Sequence, residues 1–175
     1  LLPNGAGTPC MVDKSSDRKG AVMGRAVPFA LPDGSTSEWA GLNIPDFPAH
    51  VPDDFTALAA AQKKNKKGEA NPLRIVRFVL THRRAFAGLK AILGVVTAQS
   101  FATQRYNGLH AYFLVDADGR RRAFRYRWIP LAGVHGITPA EDKLLPPQFL
   151  ISEIKQRIAR EPVAWDLVFQ LGEPG

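Results

Sequence analysis

Four histidines, one cysteine and three clusters of basic residues are the side chains whose type could do chemistry. His50, His82, His110 and His135 could ligate a metal or move protons. No two of them fall at i, i+3 or i, i+4, so one helix cannot present a pair of them to a metal ion. The single cysteine, Cys10, excludes an internal disulfide and a Cys-rich zinc site. It stands in a loop-like segment without an obvious base, and no Gly-x-Ser-x-Gly elbow or phosphate-binding loop occurs. Lys63 to Lys67, Arg83-Arg84 and Arg120 to Arg122 could contact phosphate. They lie in three separate segments, and no aromatic-basic RNA signature or zinc-finger spacing accompanies them.

The elements that must position these residues come from a chain of 175 residues with a net charge of +7. That length suits one domain with its own core, and 45% hydrophobic with 22% charged residues is a globular composition. The positive charge permits an anionic partner without showing one, and nucleic-acid binding ranks a distant third among the readings. The most apolar stretch, Ala85 to Val96, is interrupted by Lys90 and falls short of the ~18 residues of a membrane span. Neither the compartment nor a localisation follows from the sequence.

Residues 1–23 read as loop. Residues 25–31 read as a strand that Pro28 confines to an edge or a bulge, and Pro32-Asp33-Gly34 as a turn. Glu38 to Ile44 is the expected return strand. Asp53 or Asp54 is expected to cap a short helix carrying Phe55, Leu58 and Ala59, broken by Lys63 to Gly68. Asn71-Pro72 supplies a cap and a first helical residue, followed by Leu73, Val76, Val79 and Leu80 at helical spacing. A second helix over about Ala85 to Leu93 aligns Phe86, Leu89, Ile92 and Leu93, and Gly94 can end it. His110 to Val115 and Arg122 to Ile129 flank Asp116-Ala-Asp-Gly119 and predict a half-buried hairpin, with Phe124, Tyr126 and Trp128 on one face. Pro147 opens a last helix with Phe149, Leu150, Ile154 and Ile158, and Val163 to Leu171 is a final strand. The order predicts an α+β domain around an antiparallel sheet.

The stretch Ser100-Phe-Ala-Thr-Gln-Arg-Tyr-Asn-Gly-Leu-His-Ala-Tyr-Phe-Leu-Val-Asp-Ala-Asp-Gly-Arg, followed by Phe124-Arg-Tyr-Arg-Trp-Ile-Pro-Leu-Ala-Gly-Val, closely resembles the haem catalases. It is most similar to their short bacterial branch, the catalase-related peroxidases. Asn4-Gly-Ala-Gly, Gly24-Arg-Ala-Val-Pro-Phe-Ala-Leu-Pro-Asp-Gly34, Asn43-Ile-Pro-Asp-Phe47, the helical stretch 71–93 and Trp165-Asp-Leu-Val-Phe-Gln-Leu-Gly-Glu-Pro174 follow in the family's order. The stretch 101–133 is specific; the others are weak alone.

The resemblance implies a catalase-type antiparallel β-barrel with packed helices, incomplete at both ends. It implies haem b held by a proximal tyrosinate under a distal histidine, and heterolysis of hydrogen peroxide or an organic peroxide with an unidentified reductant. Carried over residue by residue, Phe55 matches the phenylalanine that stacks on the porphyrin. Phe47 matches a distal-pocket aromatic, and His110 the histidine of the proximal hydrogen-bond relay. The matching order places the distal histidine before Leu1 and the proximal arginine–tyrosine helix after Gly175. No catalytic residue and no iron ligand is therefore assigned within the chain, and Tyr106, Tyr112 and Tyr126 are not promoted to ligand. Leu1 stands at a propionate-binding arginine position, Pro3 at that of a hydroxyl residue, and Leu42 at that of the distal asparagine of true catalases.

Both ends read as cuts through something longer, since Leu1 is not an initiator methionine and Gly175 follows a strand-like run. One catalase-like domain is expected over 1–175, with first barrel strands in 1–62, a basic loop and helices in 63–99, and hairpin, helix and final strand in 100–175. The alternative is a haem-free catalase-like structural or interaction module with a degenerate active site. Either way, open barrel edges predict self-association or cover by another chain.

Overall fold

The computed structural model describes residues 22–47, 49, 51–63, 71–83, 85–146 and 148–173. Calls on His50, Pro147, Lys64 to Gly68, Leu1, Pro3 and Cys10 fall outside those residues. The chain divides into two units, one made of the residues up to Pro45 together with Gly94–Gly175, the other of Asp46–Leu93.

The first unit is built on six antiparallel strands. β1 (Gly24–Ala30) and β2 (Thr36–Leu42) form a hairpin that pairs Val27 with Trp39. Its turn is closed by Asp33, whose carboxylate accepts from the Ser35 N–H (2.9 Å) and hydroxyl (2.6 Å), with Gly34 at φ 83°. Pro28 has no N–H to give a ladder, and β1 accordingly ends the sheet. β3 (Tyr106–Asn107) joins this hairpin to the long strand β5 (Arg121–Pro130). β4 (Tyr112–Val115) pairs with the first half of β5, and β6 (Trp165–Leu171) with its other edge. The described strands make an open sheet, with no pairing between β6 and β1.

Alternation along β5 sets the core. Phe124, Tyr126 and Trp128 are buried on one face and Arg125 is exposed on the other. Trp39 lies 4.9 Å from the Tyr126 ring and 5.5 Å from Phe169, centroid to centroid. Phe101, Tyr106, Phe149 and Leu150 complete this core. Each such side chain contributes about 1.5–3 kcal/mol through the apolar surface it removes from water. Phe101 sits in a 3₁₀ turn, Phe101–Thr103, nucleated by the Ser100 hydroxyl accepting from the Ala102 N–H at 3.0 Å. Two short helices follow the hairpin, α4 (Pro139–Leu144) and α5 (Phe149–Ile158). α4 was not foreseen. It opens on a capping box, in which Thr138 accepts from the Glu141 N–H and Glu141 accepts from the Thr138 N–H.

The second unit holds α1 (Pro52–Gln62), α2 (Pro72–Thr81) and α3 (Ala85–Leu93) around Leu58, Ala61, Phe78 and Ala85. Three expectations change here. Val51, not an aspartate, caps α1, because Pro52 takes the first helical position and moves Asp53 and Asp54 into the first turn. In α2 the buried residue is Phe78, whereas Leu73, Val76 and Leu80 are exposed. In α3, Phe86 is exposed and Leu89 packs inward. The Asn71 cap is as foreseen, with its side-chain oxygen accepting from the Leu73 N–H at 3.0 Å. No described helix is long and apolar enough to cross a membrane.

Candidate functional site

Gly24 pairs with Leu42 and Ala26 with Ala40, which puts four small or aliphatic residues on one face of the β1–β2 hairpin. Facing them are Leu109, His110 and Tyr112, the residues between β3 and β4 and the start of β4. Together they line a groove of about 340 Å³. Arg25 and Gly41, from the same two strands, also border it. A Cβ added at Gly24 would stand 3.3 Å from Leu42 Cδ2, so a long side chain there would fill the groove.

Hydrogen bonds from side chains to backbone carbonyls hold the groove's frame. The Asn107 amide donates to the Leu42 and Ile44 carbonyls, at 3.3 and 3.1 Å. The Tyr126 hydroxyl donates to the Ala40 carbonyl at 2.7 Å. Burial, with the neighbouring Tyr112, pushes the Tyr126 phenol up to about 12, so it stays protonated. Burial also raises the Tyr106 phenol, whose hydroxyl donates to the Phe101 carbonyl. Neither is poised to become a tyrosinate.

His110 stands on the groove, exposed, with its ring edge-on to Tyr112 at 6.4 Å. Its ring nitrogens have no hydrogen-bond partner among the described residues. Phe47 and Phe55 are brought together in the other unit, with rings stacked 6.3 Å apart at 18°. Phe55 is 54% exposed and Phe47 is half-buried, so the Phe55 ring is not ordinary helix core. Leu42 puts methyl groups into the groove.

The other histidines have local explanations. His82 stacks on Phe78 (4.5 Å) and faces Asp54 (3.8 Å), and His135 Nε2 lies 3.0 Å from the Ala132 carbonyl. No group of His, Cys, Asp and Glu among the described residues could hold a metal ion.

Arg25 went unnoticed in the sequence. Its guanidinium lies over the Trp165 ring at 3.6 Å and the Trp128 ring at 4.8 Å. Burial pulls its pKa below the ordinary value, and its Nη1 has no hydrogen-bond partner. An arginine alternating with apolar residues in a strand carries no signal of this, because both indoles come from distant segments.

The groove fits a flat, apolar group against its glycine–alanine wall, with an imidazole at hand. The small-residue wall is of a kind that a flat apolar cofactor would fit, and no axial ligand is assigned among the described residues.

No family model matches the chain. It is 33% identical over 172 residues to the catalase-related peroxidase of Mycolicibacterium paratuberculosis, covering 98% of this chain and 53% of that protein. It is 27% identical over 163 residues to the catalase-related peroxidase of Synechococcus elongatus, covering 93% and 48%. The chain thus spans about half the length of the curated relatives it matches. Its fold matches a bacterial catalase with a TM-score of 0.74 at 20% identity, over 86% of this chain and 30% of that one. Catalase A from Saccharomyces cerevisiae matches with 0.76 at 15% identity, over 93% and 34%. Sequence likeness along nearly the whole chain and likeness of fold agree, and the chain belongs to the catalase superfamily.

Proposed function

We propose that this chain forms part of a catalase-related haem peroxidase that consumes hydrogen peroxide or an organic peroxide. The observation that carries this is the groove of Gly24, Ala26, Ala40 and Leu42 with His110 beside it. Bound haem supplies the redox chemistry of peroxide reduction. The chain's own part is to wall and orient the macrocycle. The small residues of β1 and β2 let it approach the backbone and exclude water from its face. Phe55, exposed and stacked on Phe47, offers an aromatic face for the porphyrin. His110 holds a ring nitrogen free to hydrogen-bond a neighbour of the iron ligand, tuning it from a distance. Leu42 removes an amide that true catalases place over the iron, which favours peroxidase over catalase turnover.

In this reading the two units belong to one catalase-like domain over 1–175, and the open edges of β1 and β6 are covered by further strands of a barrel, by a second copy or by another chain. Light scattering tests the cover: a monodisperse monomer of the 175-residue chain counts against it.

Leu42 also favours the second reading, a haem-free module that keeps the fold as an interaction scaffold. Titrating haem into the purified chain decides between them. A sharp Soret band saturating at one haem per chain, with peroxide turnover, supports the first. No band, with an intact mass near 19.2 kDa, overturns it in favour of the second.

A further inference from the structure

The helical unit has a second concavity, of about 410 Å³, between α1 and α2. Its floor is apolar. Ala57, Ala60 and Ala61 share one face of α1, at spacings of three and four, and meet Phe78 of α2. Alanines leave a furrow where larger side chains would have closed the helix pair. The rim is cationic, with Arg74 and Arg77 one turn apart on α2 and Lys63 at the end of α1. None of these three makes an ion pair with a described residue, whereas surface arginines elsewhere do, as Arg157 does with Glu153 at 2.7 Å.

The two ends of the furrow differ. α1 and α2 run antiparallel, since Asp54 near the start of α1 lies 3.8 Å from His82 at the end of α2. That end carries the Asp54 carboxylate, and His82 is pinned there by its stack on Phe78. Lys63 and Arg74 gather at the opposite end, where no described acid answers them. An apolar furrow with cations that no described acid compensates complements a molecule with an anionic head and an apolar body. A polyphosphate would use the cations and leave the alanine floor idle. A neutral apolar molecule would leave the cations idle.

We propose that this furrow binds a small amphipathic anion of the medium-chain carboxylate class, with its head on Lys63, Arg74 and Arg77 and its chain along Ala57, Ala60 and Phe78. The furrow shares no residue with the haem reading, whose aromatics in this unit are Phe47 and Phe55.

Decanoate below its micellar concentration is the probe, titrated into the full chain by calorimetry and by amide chemical-shift mapping. Decanol, decyltrimethylammonium and inorganic phosphate are the comparison ligands. Decanoate is expected to bind at one per chain, more tightly than all three, with shifts concentrated in residues 57–82 and affinity falling as salt rises. Arg74→Glu with Arg77→Glu should weaken it about tenfold or more while leaving the circular dichroism spectrum unchanged. Ala60→Phe should do the same by filling the floor. Equal affinity for decanol or for phosphate would overturn the proposal, as would shifts centred on the Gly24–Leu42 groove. If either variant fails to fold, the shift map and ligand ranking on the unaltered chain still decide.

Discussion

The Tyr126 ring lies flat against the backbone of Gly108, so close that a Cβ on Gly108 would sit 2.7 Å from Tyr126 Cζ. The Gly108 N–H also donates to the Tyr126 carbonyl at 2.8 Å. This contact gives the Asn-Gly pair of the family stretch a physical reason. The ring cannot retreat, because its hydroxyl is bonded to Ala40 and Trp39 packs on it. Gly108→Ala is therefore expected to destabilise the sheet unit by about 1–3 kcal/mol. Urea unfolding followed by circular dichroism checks this, and an unchanged midpoint would refute the contact.

Arg25 spends its charge on two indole faces and leaves one donor unsatisfied. Removing the charge while keeping the stem should therefore cost little, since the lost cation–π attraction is offset by relief of desolvation. Arg25→Met is expected within about 1 kcal/mol of the parent, and Arg25→Ala about 1–2 kcal/mol below it through lost packing. The same unfolding experiment on both variants separates charge from volume. A large loss in the methionine variant would mean that the guanidinium has a hydrogen-bond partner after all.

Glu141 carries a sign that pH can read. Its carboxylate accepts from the Thr138 N–H (2.7 Å) and hydroxyl (2.8 Å), and these bonds hold its pKa below the ordinary 4.5. A carboxyl depressed in the folded state adds stability that is fully present above its unfolded value. That stability is lost as pH falls through the lower folded value. Glu141→Gln should thus lower the melting temperature near neutral pH, and the gap to the parent should narrow below about pH 4.5. A gap that stays constant into acid would show that the charge plays no part in the cap.

Gly24 is the position where the groove is most easily closed. Gly24→Leu should weaken haem uptake about tenfold or more by occupying the wall, whereas Gly24→Ala, whose Cβ meets only a movable Leu42 methyl, should change it little. The readout is the Soret titration. Equal uptake by both variants would place haem elsewhere on the chain.

The hairpin from His110 to Pro130 was legible because period-two alternation, an Asp-Gly turn and aromatic residues all agree there. His110 lies beside the groove and Phe47 stacks on Phe55, contacts that no spacing in the sequence announces. Of the α2 residues that spacing aligns, Val79 packs inward while Leu73, Val76 and Leu80 are exposed, for a definable reason. Leu73, Val76 and Leu80 form one apolar stripe, and Ile75, Phe78 and Val79 form another. Only the position of α1 selects the second. Spacing locates a face; a neighbour chooses it. α4 was missed although Thr138-Pro-Ala-Glu141 spells its start, because six residues carry too little periodicity to register. Closure of the sheet depends on pairings that no local pattern encodes.

All three tryptophans, Trp39, Trp128 and Trp165, and all three tyrosines belong to the strand-built unit, and Asp46–Leu93 contains neither residue type. Intrinsic emission is therefore an optical label for one unit alone. The helices α1 to α3 carry no such emitter of their own. An ellipticity trace at 222 nm sees both units, so the two probes used together report whether the chain unfolds as one cooperative body or as two.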